Sequence, residues 1–350
     1  MTDLESFEDV RGYRRRMLRR YTIVISLTIV CMFCAFIACM AVGNYQLSPS
    51  EVWNALIGNE SPGAVQVVRR VRLPRVLAAA FVGAGLSVAG LAMQSLFKNP
   101  MASPSILGLS AGAAFGASVA ISFGIGIGLF GRFATPVLAF VMCFVTMGLV
   151  YLISASRYGI STVTLLLAGV AIGSFFNGLV SLMQYVADEN TLASIVYWTM
   201  GSFNKATWDN LTYSFLPVLI GVLIIAVIYR ELNLISAGEE QAANLGVNVK
   251  RTRALAIIAT SLCVGGSVSI AGTIGFVGLI IPHIFRMMVG PNHKVLIPLC
   301  IFGGATFLML MDTIAKAAFE ISFPVGIFTS LLGAPFFVFV LRRRKKEMWE

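Results

Sequence analysis

A chain of 350 residues that is 57% hydrophobic and 12% charged, with a mean hydropathy of +0.85, is too apolar for a soluble globular protein. Its formal charge of +10 comes from basic residues clustered beside apolar runs, where anionic lipid and membrane topology account for them, which argues against nucleic-acid binding. What remains is a polytopic membrane protein.

In chain order, residues 1–20 form an acidic and then strongly basic head, MTDLESFEDVRGYRRRMLRR, ahead of the apolar run Tyr21 to Val42. That run exceeds the roughly 7–15 apolar residues of a signal peptide, so it reads as an uncleaved first span with a cytoplasmic N-terminus. Cys31 and Cys34 have a C-x-x-C spacing, but inside this run redox or metal chemistry has no water to use, and packing is the reading for all six cysteines. Only His283 and His293 are available, too few for a clustered metal site.

Apolar runs of about 20 residues cross the hydrocarbon core as helices. Counted on that basis, an all-α membrane protein with about ten spans is expected, near 21–43, 74–97, 105–125, 134–156, 161–186, 211–230, 252–271, 274–290, 295–317 and 324–342. The polytopic domain is thus 21–342. An even count returns the basic tail 343–350 to the cytoplasmic side, in agreement with Arg157 and with Lys250 to Arg253.

Ahead of the second span, Arg69, Arg70, Arg72 and Arg75 lie on the outer side by this count, against the positive-inside tendency. Lipid headgroups or an acidic docking partner would explain them, the second because arginine grips carboxylates in a bidentate way. Within that span, Val82 to Gly90 (VGAGLSVAG) resembles Val264 to Gly272 (VGGSVSIAG) in the seventh; five spans apart, the copies run in opposite senses, as in an inverted-topology repeat. The two prolines of Lys98 to Pro104 require a turn. Gly108, Gly112 and Gly116 then predict a bare stripe on the third span that a neighbouring backbone approaches. In the fifth, Ser174, Asn177, Ser181 and Gln184 align on one helix face, either hydrogen-bonding a neighbouring helix or lining a pathway.

The segment 236–249 is the most informative polar interruption. Ser236 and Glu239 form a capping-box signature, Ala242, Ala243 and Leu245 give a smooth surface, and Gly246 is the expected stop. The expectation is a short helix on the inner membrane surface that contacts a soluble partner. Further on, His283 reads as a structural histidine, and Asp312 and Lys316, at i and i+4, either pair with each other or leave Lys316 to the arginines. No glycine is followed by lysine, so no phosphate loop is present, and H-E-x-x-H does not occur.

Arg72-Leu-Pro-Arg75, Met93-Gln94, Asn99-Pro100 with Pro104, Leu107-Gly108, Leu166 to Gly169, the Gly238 to Gly246 segment, Gly275 to His283 and Leu332 to Pro335 together resemble the FecCD/vitamin B12-type permeases. These are the membrane subunits of type II ABC importers, and the likeness runs from the second span onward. It implies ten helices, a homodimer with the pathway on its axis, two cytoplasmic ATPase subunits and an extracytoplasmic binding protein. It further implies that Arg72, Arg75 and, less strongly, Lys316 receive acidic residues of the binding protein. Ser236, Gly238, Glu239, Gln241, Ala242, Leu245 and Gly246 would belong to a coupling segment against the ATPase. Asn99 and Met101, with Ser161 and Thr162, would narrow the inner end of the pathway. The expected function is inward passage of an iron(III)–siderophore complex, with haem or cobalamin as alternatives within the family, ATP and Mg being held by partner subunits and no cofactor by this chain. A secondary transporter driven by an ion gradient is the rival class; it calls for a carboxylate deep in a span, and only Asp312, near an end, approaches that.

Overall fold

The computed structural model describes residues 2–43, 45, 47–125, 131–156, 159–317 and 323–347. Arg157, residues 348–350 and the side chains of Arg342 to Lys346 lie outside the described residues, and with them part of the expected basic inner surface.

The helices are α1 (Thr2–Ala41), α2 (Pro49–Ile57), α3 (Pro62–Gln66), α4 (Leu73–Leu96), α5 (Leu109–Ser122), α6 (Ala134–Ser154), α7 (Thr162–Val186), α8 (Glu189–Thr199), α9 (Trp208–Val227), α10 (Tyr229–Ala237), α11 (Glu239–Asn244), α12 (Val249–Ala271), α13 (Val277–Val289), α14 (His293–Ala317) and α15 (Val325–Glu347). A two-residue ladder pairing Ala155 with Ile160 and Ser156 with Gly159 is the one strand pairing among the described residues. Among the described residues, seven helical stretches are long and apolar enough to cross a membrane; α5, α13 and the first part of α15 are shorter apolar helices, and together they account for the ten apolar runs.

The two copies of the repeat form the centre. In both α4 and α12, 78% of the most apolar window is buried, against 17% in α1, whose remaining surface is left for lipid. The copies pack on one another: a Cβ placed on Gly85 would lie 3.2 Å from Ser267 Oγ and 2.5 Å from a methyl of Val218 in α9. Without a hydrophobic driving force between helices in lipid, close backbone approach is what holds them. Accordingly, a Cβ on Gly83 would stand 2.2 Å from the Gly304 carbonyl of α14, and one on Gly90 would stand 1.8 Å from that of Gly278 in α13. The expected stripe on the third span is divided. Gly112 and Gly116 face Thr146 and Leu138 of α6, whereas Gly108 precedes α5 in the left-handed region (φ 73°) and packs on Gly169 and Gly173 of α7.

A polar chain clamps four helices at the end of the bundle that carries α11. His293 is fully buried; its Nδ1 lies 2.6 Å from Asn233 Oδ1 on α10 and its Nε2 lies 2.5 Å from Ser95 Oγ on α4. Asn233 offers a carbonyl oxygen, so Nδ1 donates and Nε2 accepts from the Ser95 hydroxyl, which in turn accepts from Arg286 Nη2 of α13 at 3.4 Å.

Candidate docking surfaces and pathway

At the opposite end, the arginine cluster is built by a π-helical turn, Val67–Arg72, between α3 and α4. One extra residue per turn changes the direction of successive side chains. Arg69 points back to α2, donating through Nε (3.0 Å) and Nη2 (2.6 Å) to the Leu56 carbonyl. Arg72 turns inward and is 3% exposed; Nη1 donates to the carbonyls of Met40 (2.7 Å) and Ala41 (2.9 Å), and Nη2 to that of Tyr45. These are acceptors at and just beyond the C-terminus of α1, which lack intrahelical donors. Arg75 makes a two-pronged pair with Asp312 of α14, Nε to Oδ2 at 2.7 Å and Nη2 to Oδ1 at 2.9 Å, and its Nη1 donates to Asn204 Oδ1 at 2.8 Å. Three of the four arginines therefore serve the chain's own helix ends and carboxylate. Arg72, expected to receive a partner's carboxylates, is thus engaged within its own chain. Asp312 is taken by Arg75 rather than Lys316, whose Nζ stands beside Arg72 at Gly43, so the lysine joins the arginines. The Arg70 side chain is exposed and makes no hydrogen bond to a described residue.

At the α11 end, Ser236 lies in the last turn of α10, where its hydroxyl donates to the Leu232 carbonyl (2.7 Å). The expected capping box is absent, because a serine inside one helix is not free to cap the next. Glu239 instead accepts from Arg253 Nη2 of α12 at 2.7 Å. The helix ends as its glycine predicts: Gly246 (φ 86°) donates to the Ala243 carbonyl and Val247 to that of Ala242, the paired bonds of a Schellman stop. Ala242 is fully buried and anchors α11 to its own chain, while Gln241, Leu245 (68% exposed) and Gly246 face outward. A Cβ on Gly238 would meet the Gln241 amide, which folds back over it.

Between these ends, three breaks in the helices converge. Gly201 after α8, Gly272 to Phe276 between α12 and α13, and Gly326 at the start of α15 meet backbone to backbone: Ser202 N donates to the Ala271 carbonyl (2.8 Å), Gly326 N to that of Gly201 (3.2 Å), and Thr273 Oγ1 to that of Thr199. Phe276 is held in the left-handed region (φ 67°), uncommon for a bulky residue, and its ring lies where a Cβ on Gly333 would be. The junction borders a cavity of 750 Å³ lined in part by Ser105, Ser110, Thr199, Thr273 and Ser330. Non-helical backbone in a membrane protein is stable where protein buries it or where it lines such a cavity. At the mouth of α8, Asp188 caps the helix, and the backbone N–H of Thr191, with its hydroxyl, holds the carboxyl below the usual carboxylate range.

Residues 28–343 match the FecCD transport family. The chain belongs to that family. The FecCD relatives include the molybdate import system permease protein MolB of Haemophilus influenzae, 38% identical over 93% of this chain and 96% of MolB. They also include the hemin transport system permease protein HmuU of Yersinia pestis, 34% identical over 87% of this chain and 91% of HmuU. Among solved structures, an inward-facing metal-chelate type ABC transporter superposes with a TM-score of 0.82, at 36% identity, over 92% of this chain and 99% of that one. This FecCD chain is thus a multi-pass membrane permease of an ABC importer with the type II importer fold, a transport subunit rather than an enzyme, in a class that works with ATPase and binding-protein partners.

In the single FecCD chain the predicted polar stripe does not border the large cavity. Ser174, Asn177 and Ser181 are exposed and Gln184 half-buried, on a face of α7 that also exposes Leu167, Val170, Phe175 and Tyr185. Asn99 is exposed and accepts from Met101 N at 2.9 Å, fixing its own turn; Ser161 is exposed and Thr162 half-buried at the start of α7, and among the described residues no hydrogen bond joins the two loops. The junction at Thr199 and Thr273 was missed from sequence. Its signal was that two apolar runs stand only two residues apart across Gly272 and Thr273, too close for a surface loop and so a discontinuous pair.

Proposed function

We propose that this permease passes an iron(III)–siderophore complex inward, along a pathway on the axis of a homodimer. The α7 face carrying Ser174, Asn177, Ser181 and Gln184 lines that axis, and Asn99, Met101, Ser161 and Thr162 narrow its inner end. The termini and α11 are cytoplasmic, and the chain holds no cofactor; ATP and Mg sit on two partner ATPases. The observation that carries this reading is α11 itself. A helix of six residues stopped by Gly246, buried at Ala242 and tied to α12 through Glu239 and Arg253, is a stiff knob, and its exposed Gln241 and Leu245 offer a grip to a second protein. Closure of the ATPases on ATP pulls such a knob as a unit and alternates which end of the axis is open.

At the other end, the binding protein's carboxylates meet Arg70 and Lys316 first, and Arg75 by exchange with Asp312, while Arg72 keeps the platform in shape. The metal chelate follows from the likeness to the metal-chelate type transporter. Accumulation of radio-iron supplied as ferric siderophore, haem iron, labelled cobalamin and labelled molybdate, compared in cells with and without this chain, tests the substrate. Loss confined to the siderophore arm is expected. Loss confined to another arm transfers the chain to that substrate, and an unchanged siderophore arm overturns the proposal.

A further inference from the structure

A second, smaller cavity of 310 Å³ lies at the α11 end, between the C-terminal end of α4, α10 and α13, and includes Gln94, Lys98, Ser236, His283 and Arg286 in its wall. Among the described residues no Asp or Glu lines it, although two cations do. Arg286 is the anomaly. Its Nη2 makes the one long contact to Ser95 Oγ, its Nε is buried without a partner, and no described carboxylate is within ion-pair distance.

Among the described residues, no helix-end carbonyl nearby accepts a hydrogen bond from Arg286. The carbonyls of Met93, Gln94 and Ser95 already accept from the N–H groups of Phe97, Asn99 and Lys98, and that of Leu234 accepts from Gly238. A half-buried guanidinium with its Nε shut off from water and so few acceptors is stabilised when an anion joins it. The wall also carries the complementary want: Gln94 turns its Nε2 to the Leu279 carbonyl (3.1 Å), which leaves its Oε1 buried with no donor. An occupant that satisfies both must accept from Arg286 and donate to Gln94. Sulfate only accepts. A phosphate that still bears a hydroxyl does both.

We propose that this cavity binds a hydrogenphosphate or phosphate-monoester group, its charged oxygens held by Arg286 and Lys98 and its hydroxyl given to Gln94 Oε1. The group comes either from free phosphate or from the headgroup of a phosphatidic acid lipid. The site is independent of the substrate assignment, since nothing in it depends on what the permease carries.

The test uses the full-length chain, purified in detergent and stripped of lipid. Thermal melting is followed in phosphate, sulfate and chloride at matched ionic strength, and retained phosphatidic acid and phosphatidylglycerol are counted by native mass spectrometry. Stabilisation by phosphate beyond sulfate, lost in Arg286→Gln and weakened roughly tenfold or more in apparent affinity in Lys98→Gln, supports free phosphate. Inert phosphate with selective retention of phosphatidic acid, lost in the same variants, supports the lipid source. Equal response to sulfate, no binding of either form, or binding unchanged in both variants overturns the proposal. Lys98 is exposed, so its variant carries the comparison even if Arg286→Gln does not fold.

Discussion

Replacing Arg72 by alanine separates a structural arginine from a docking one. The side chain is 3% exposed and donates to the carbonyls of Met40, Ala41 and Tyr45, two of them at 2.7 and 2.9 Å. Hydrogen bonds from a charged donor contribute about 1.5–3 kcal/mol each, which summed would be excessive, because water and Lys316 reach part of the vacated space. A net loss of about 3 kcal/mol is expected, on the order of 4 °C in melting temperature for a chain of this length. The assay is thermal melting of the detergent-purified protein, with binding-protein capture measured well below the transition. Arg72→Ala should melt early yet still capture its partner, whereas Arg70→Ala should melt normally and capture poorly. A normal melt combined with lost capture in Arg72→Ala would refute the structural role.

Three further outcomes are expected. In a double-mutant cycle of Arg75→Gln and Asp312→Asn, each single change should cost about 3 kcal/mol and the double much less than the sum, since the pair is largely buried at 12% and 6% side-chain exposure; additive melting losses would contradict the pairing. Gly304→Val should not yield folded protein, because even a Cβ there would stand 2.3 Å from the Gly83 carbonyl; a monodisperse variant on size exclusion would show that α4 and α14 are not in that contact. Ala242→Leu should lower stability by about 1–3 kcal/mol through overpacking, whereas Leu245→Ala should leave the melt unchanged and weaken ATPase capture; the reverse pattern would turn α11 around.

The sequence made the ten apolar runs, the repeat and the Gly246 stop legible, because each depends on local chemistry: run length, small residues in register, and a left-handed position that glycine fills. The fate of the arginines was not legible. Whether Arg72 faces a partner or the end of α1 depends on a π turn that adds one residue, which no periodicity marks, and on Met40 lying close by despite a separation of 32 positions. Ser236 failed for a related reason. The motif S-x-x-E is satisfied only if the chain is non-helical at the serine, and the buried Leu232 and Ile235 of α10 carry the helix past it. Arg286 and His293 gave no signal beyond being polar in apolar surroundings, and their link through Ser95 joins the consecutive helices α13 and α14 to α4, which is distant in sequence.

The most direct measurement reconstitutes the purified chain in sealed vesicles with a labelled ferric siderophore, alone or with its ATPase and binding-protein partners. Imposed proton or sodium gradients should produce no accumulation by the chain alone, and ATP with the partners present should produce it. Concentration of the chelate by the lone chain on a gradient would contradict the account at its root.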